Sequence, residues 1–205
     1  MTRQGGPAAG NTRQRLIDES VRLIEETGLA GLSFRSMARR AGLSHQAPYH
    51  HFHNREGILV AIAQQGFERL DAALVAARTE PGSPEERLRR VLRAYVEFAR
   101  ANPVQFRIML RPELAPLAEY PEARAAAASS FQRLVDTVAE CHPGVDRRTV
   151  PFVEVVNSLW AGAHGVATLI LDGPVLANSP GLSLEGFVET AARLLAEAGA
   201  HAPLA

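Results

Sequence analysis

The chain has 205 residues, 46% of them hydrophobic and 21% charged, with a formal net charge of zero and a single cysteine, Cys141. That length admits one large or two small domains with a sizeable core. A lone thiol excludes an intrachain disulfide and gives no support to an oxidising compartment, so a cytoplasmic protein is expected. The charge is unevenly placed: residues 1–66 hold eight arginines against five carboxylates, net +3, and the rest of the chain is net −3. The N-terminal part is therefore the end suited to a polyanion. All 22 basic residues are arginine; genomic base composition is the simplest cause, although the guanidinium fork also suits phosphate.

Residues 1–10 are rich in Gly, Pro and Ala and have no hydrophobic run, so a flexible tail and not a signal peptide is expected there. Residues 11–27 form a first helix, with Leu16, Ile17, Val21 and Ile24 on one side and Gly28 after its end. Ser33 is a good N-cap for a second, short helix whose apolar face is Phe34, Met37, Ala38 and Ala41, with Arg35, Arg39 and Arg40 outside it. Gly42 sits where that helix stops, and Leu43 plugs back into the core. Ser44 offers the next cap, so a third helix is predicted from His45 with its first turn facing outward. Pro48 occupies the fourth helical position there, which removes the first intrahelical hydrogen bond and distorts the start. Two short helices about a glycine turn, with basic and histidine-rich flanks, are the outline of a helix-turn-helix DNA reader.

The run SMARRAGLS, the tyrosine at 49, His51-Phe52 and Asn54-Arg55-Glu56 resemble the N-terminal DNA-binding domain of the tetracycline-repressor family of transcriptional regulators, over roughly residues 11–66. Ala47 and Pro48 depart from the commonest family pattern, which has a hydroxyl residue and leucine there. The resemblance implies that the Tyr49 hydroxyl meets a phosphate. His45, Gln46 and His50 are suited to base edges, Gln46 to adenine in the major groove, with Ser44 and Ala47 completing the surface. Ser33, Arg35 and His51 are candidate backbone contacts, and Arg55 adds its charge to a helix N-terminus that attracts phosphate. The plainer alternatives are a packing role for Tyr49 and simple solvation for Ser33, Arg35 and His51.

Downstream the pattern remains helical. Asn54 caps a long helix through about Arg78, with Ile58, Leu59, Ile62, Phe67, Leu70 and Leu74 inward. Ser83-Pro84-Glu85-Glu86 combines a cap, a first-position proline and a third-position glutamate, and opens a helix to about Asn102. A short helix follows from Pro103 to Leu110. Pro112 to Pro121 is a proline-punctuated loop, and helices are predicted over 122–140, 146–171 and 183–198. The expectation is an all-α chain of about nine helices: a tail at 1–10, a three-helix helix-turn-helix domain at 11–66, and a helical ligand-binding and dimerisation domain at 67–205.

Trp160, His164 and Gly165, together with NPVQFRIML at 102–110, resemble a C-terminal domain class of that family named for its Trp-His-Gly signature. The resemblance implies a homodimer and an enclosed small-molecule site, with Phe106, Met109, Phe131, Trp160, His164 and Thr168 as candidate lining residues. His164 taken alone is as readily a satisfied core histidine. Val155 to Leu171 is apolar nearly all round, and Asn157, Ser158 and His164 within it disfavour a membrane span; burial in a dimer bundle is the better fit.

Four histidines at 45, 50, 51 and 53 do not share a helical face, and no cysteine or carboxylate completes a metal set. No Ser-His-Asp order, phosphate loop or metal spacing points to catalysis. The expected protein is thus a cytoplasmic regulator and not an enzyme, without a cofactor or metal. It would act as a homodimeric, ligand-responsive repressor on a palindromic double-stranded operator, with an effector of unknown identity and no membrane partner. Two other readings stay open at this point: a dimeric regulator without an effector, and an all-α metal sensor or enzyme carrying a helix-turn-helix.

Overall fold

The computed structural model describes residues 7–179 and 181–204. The first six residues of the expected tail lie outside these. Among the described residues the chain is helical with no strand. Its α-helices are α1 (Pro7–Thr27), α2 (Phe34–Arg40), α3 (Arg55–Thr79), α4 (Pro84–Ala101), α5 (Pro103–Met109), α6 (Pro121–Cys141), α7 (Val150–Leu171), α8 (Pro174–Asn178) and α9 (Leu184–Ala200). Short 3₁₀ turns occupy Leu29–Gly31, Pro48–His50 and Leu117–Glu119. The residues group into two compact units: one holds the chain up to Gly66 and Val104–Arg124, the other Phe67–Pro103 and the chain from Ala125. Residues 104–124, assigned by sequence to the C-terminal domain, thus group with the first unit.

In the first unit, α1 buries Leu16, Ile17, Leu23 and Ile24. Ser20, which is also buried, donates its hydroxyl hydrogen to the Leu16 carbonyl at 2.6 Å, so a polar group sits in the core without an unmet bond. Helix α2 packs against α1 through Met37 and Ala38, both fully buried. Its start is a reciprocal capping box between Ser33 and Ser36. Its end is a Schellman turn: the Leu43 N–H reaches the Ala38 carbonyl at 2.9 Å and the Gly42 N–H reaches Arg39 at 3.3 Å, with Gly42 at φ +63°. Asn54 Oδ1 accepts from the Gly57 N–H at 2.8 Å and caps α3. Within this unit α5 comes very close to α3 at Gly66: a Cβ there would lie 2.6 Å from Met109 Sδ and 3.1 Å from Gln105 Cβ. The Tyr120 hydroxyl donates to Glu56 at 2.8 Å and ties the loop before α6 to the start of α3.

The third predicted helix does not form as an α-helix. Residues 45–47 are a turn and Pro48–His50 a 3₁₀ turn, with the Ala47, Tyr49, His50 and His51 N–H groups each bonded three residues back. An α-helix from His45 needs the residue-48 amide to donate to the Ser44 carbonyl. Proline has no such hydrogen, and the Ala47 N–H takes that carbonyl at 3.0 Å. The segment closes when the Phe52 N–H bonds the Pro48 carbonyl at 2.9 Å, with both side chains buried.

In the second unit, α4 buries Leu88, Val91, Leu92, Tyr95, Val96, Phe98 and Ala99 and packs on α7 and α9, which also pack on each other. The sequence-level signal at Ser83 is realised as a capping box with Glu86. Asp71 of α3 accepts from Arg133 at 2.8 Å and Ser129 at 2.9 Å on α6. Glu140 of α6 accepts from Arg78 at 2.6 Å and Arg87 at 2.8 Å. Helix α7 starts at Val150 and not at 146, because Asp146 folds a local turn, accepting from the Arg148 N–H at 3.0 Å while its carbonyl accepts from Thr149. The short α8, which follows Gly173 and begins at Pro174, was not predicted. Among the described residues no helix is long and apolar enough to cross a membrane.

Candidate nucleic-acid interface and helical core site

The 44–52 segment is anchored at both ends and open in the middle. Gly42 and Leu43 fix its entry, and buried Pro48 and Phe52 hold its underside. Between them Ser44, His45, Gln46, Tyr49 and His50 are exposed, with Ala47 and His51 half-buried. Tyr49 is 59% exposed, yet its ring meets Phe34 at the first position of α2, 4.5 Å between centroids and 72° between planes. An exposed phenol held by an edge-to-face pair presents its hydroxyl with little loss of rotamer freedom. Ser33 and Arg35 are exposed beside Phe34, although the Ser33 hydroxyl is already used by the capping box. Arg55 is exposed and donates to the Leu29 carbonyl.

Much of the positive charge in this unit is bound internally. Arg40 is shared between Glu19 at 3.1 Å and Glu26 at 2.9 Å, so α2 is clamped to α1 and Glu26 is held below the usual carboxylate range by its hydrogen bonds to Arg40. Arg15 donates to the Ala41 carbonyl at 2.7 Å, completing the end of α2. Arg35 and Arg39 are exposed, one helical turn apart. His51 is pushed below the ordinary imidazole value, first by burial, then by the positive charge of Arg13 and the neighbouring His50, and is thus biased toward its neutral form. The roles of Phe34 and Arg13 were missed from sequence. Phe34 read only as part of an apolar face, and Arg13 lies outside the helix-turn-helix pattern.

The candidate lining residues divide between the units. Phe106 and Met109 are buried in the first. Phe131, Trp160, His164 and Thr168 belong to the second. There they are joined by Tyr95 of α4, which sequence reasoning missed because it read as one more apolar-face aromatic. Tyr95 Oη lies 3.1 Å from His164 Nδ1, and the Trp160 ring stands 6.4 Å from the imidazole between centroids. On the other side of the imidazole, His164 Nε2 lies 3.5 Å from Thr168 Oγ1. Trp160 also stacks edge-on against Phe131 at 5.8 Å. Burial pushes the Tyr95 phenol up to about 12 and pushes His164 down. Tyr95, His164 and Thr168 thus make a polar contact between α4 and α7, beside the half-buried Trp160 ring and the exposed Phe131.

Comparison with known proteins agrees with this architecture. Residues 16–62 match the family described as bacterial regulatory proteins, tetR family, and residues 88–195, which include Trp160, His164 and Gly165, match the tetracyclin repressor-like C-terminal domain. The HTH-type transcriptional regulator BetI of Stenotrophomonas maltophilia is 26% identical over 159 residues, 72% of this chain and 79% of that protein. Among solved structures, a protein of unknown function from Rhodococcus sp. RHA1 shares 30% identity with a TM-score of 0.75 over 95% of this chain and 96% of its own. The TetR-family regulator PfmR from Thermus thermophilus shares 25% identity with a TM-score of 0.64, over 90% of this chain and 96% of its own.

Proposed function

Since the chain belongs to the tetracycline-repressor family of helix-turn-helix transcriptional regulators, not enzymes, we propose that it is a homodimeric, ligand-responsive repressor of a palindromic operator. The observation that carries this reading is the 44–52 segment, whose polar side chains stand exposed on a rigidly anchored turn. His45, Gln46 and His50 read base edges, with Ser44 and Ala47 lining the approach. Ser33, Arg35, Tyr49, His51 and Arg55 hold the phosphates. Two such surfaces in a dimer meet successive major grooves of an inverted repeat.

The dimer face we assign is that of α7 and α9, where Val150, Val153, Leu169 and Leu194 are exposed although the two helices pack together on their other sides. The effector site we assign is centred on Trp160, His164, Thr168 and Phe131 of the second unit; Phe106 and Met109 belong to the other unit and are left out of it. An effector works by binding the DNA-incompetent state more tightly; a coupling of about 1 to 3 kcal/mol changes operator affinity roughly 5- to 150-fold.

The test is selection of bound sequences from a random duplex pool at two salt concentrations. An inverted repeat supports a sequence-specific dimer. Binding that shows no motif and vanishes as salt rises reduces the interaction to phosphate attraction and sinks the operator reading. With the operator in hand, Gln46→Ala and Tyr49→Ala should weaken binding without unfolding the protein. Wild-type binding by both would remove the 44–52 segment from the interface.

A further inference from the structure

We propose that Arg13 of α1 is a phosphate-binding residue of the DNA interface, seated on the ring of Phe52. The guanidinium lies over that ring, 5.6 Å from its centroid, inside the range of a cation–π contact. Phe52 is 4% exposed and closes the 44–52 segment through its bond to Pro48, so the platform under Arg13 is part of the same rigid turn that presents Tyr49 and His50. Arg13 itself is exposed, and among the described residues no carboxylate pairs with it. Of the other arginines in the unit, Arg15 is bonded to the Ala41 carbonyl, Arg40 to Glu19 and Glu26, and Arg22 to Glu19, whereas Arg35 and Arg39 are exposed like Arg13.

Arg13 is also close enough to His51 to disfavour its imidazolium, and His50 acts in the same sense. The guanidinium is therefore the standing positive charge at this end of the segment, of the kind a phosphodiester neutralises. A guanidinium attracted to an aromatic face still has N–H groups to offer two phosphate oxygens. The proposal rests on the reading of the 44–52 segment as a DNA interface and adds a residue from α1 to it.

The experiment is fluorescence anisotropy of the full-length protein on two labelled duplexes, one recovered by selection and one scrambled, over a series of salt concentrations. Arg13→Gln should weaken binding by the same factor on both duplexes. It should also reduce the slope of log affinity against log salt by about one per bound protomer. Arg13→Lys, which keeps a charge over the ring, should retain most of that slope, and both variants should keep the wild-type helical circular dichroism. Unchanged affinity and slope for Arg13→Gln overturn the proposal, as does a loss confined to the selected duplex, which would make Arg13 a base contact. If the wild-type protein prefers neither duplex but Arg13→Gln still lowers the slope, the operator reading fails and the phosphate contact stands. If the wild-type protein binds neither duplex at any salt, both fall.

Discussion

The ring of Phe34 meets the ring of Tyr49 edge to face, 4.5 Å between centroids, and so joins the first residue of α2 to the most exposed aromatic of the 44–52 segment. Such a pair contributes about 0.5–1.5 kcal/mol beyond the area it buries. Phe34→Ala should therefore leave the unit folded but free the Tyr49 side chain, weakening operator binding roughly 2- to 10-fold. Tyr49→Phe keeps the ring pair and removes only the hydroxyl. Anisotropy on the selected duplex distinguishes the two contributions, and wild-type affinity in Phe34→Ala would show that the pair does not position Tyr49 for DNA.

Pro48 sets the backbone of this segment. Pro48→Ala supplies the missing amide hydrogen, which should compete with the Ala47 N–H for the Ser44 carbonyl and extend α-helical bonding through residues 48–52. Amide hydrogen exchange should show protection at residue 48 with the Phe52 amide still protected. The reading surface would rotate with the helix, so the selected operator should change in sequence and not only in affinity.

The histidines predict an acid limb in stability. His164 and His51 both sit below the ordinary value of 6.5 in the folded chain, burial being the leading cause for each. As pH falls through about 6.5 the unfolded chain takes up protons first, so stability is fully present above that value and is lost below it. His164→Gln and His51→Gln should each flatten part of the limb in a thermal-unfolding series. Tyr95 acts at the other end: with its phenol pushed up to about 12, the unfolded chain loses that proton first above pH 10, and stability falls as pH rises further. Tyr95→Phe should remove that alkaline contribution. It should also cost about 1–3 kcal/mol at neutral pH, because His164 Nδ1 loses its partner.

Two glycines carry steric requirements that unfolding measurements can read. Gly42→Ala forces a Cβ into a left-handed conformation and should cost about 1–2 kcal/mol. Gly66→Ala places a Cβ against Met109 and Gln105 and should cost about 1–3 kcal/mol by separating α5 from α3. A denaturant midpoint for Gly66→Ala equal to that of wild type would mean that Met109 swings aside without loss.

Helix positions were legible wherever local chemistry decides them. Ser33, Asn54 and Ser83 cap by bonding amides within their own first turn, and Gly42 ends α2 because a left-handed residue is needed there whatever surrounds it. The apolar periodicity of α4 follows the same logic, since a helix with one oily face has few other ways to hide it, whereas α3 buries the unbroken run from Ile58 to Ala63. Where sequence reasoning went astray, a local effect had been given too little weight. Pro48 was expected to distort the start of a helix, yet the loss of one N–H tipped the whole segment into 3₁₀ bonding.

The amino-acid sequence by itself determined the all-helical class, the caps, the exposed 44–52 surface and the family to which the chain belongs, because each depends on residues near one another along the chain. Only the tertiary structure decided which cations are free and which aromatics work together. Arg40 and Arg13 look equally available in the sequence, but Arg40 is shared by two carboxylates of α1 while Arg13 rests on Phe52, 39 positions away. Likewise Tyr95 and His164 are separated by 69 residues. Their hydrogen bond exists only because α4 packs on α7, and the composition of neither helix records the other's register.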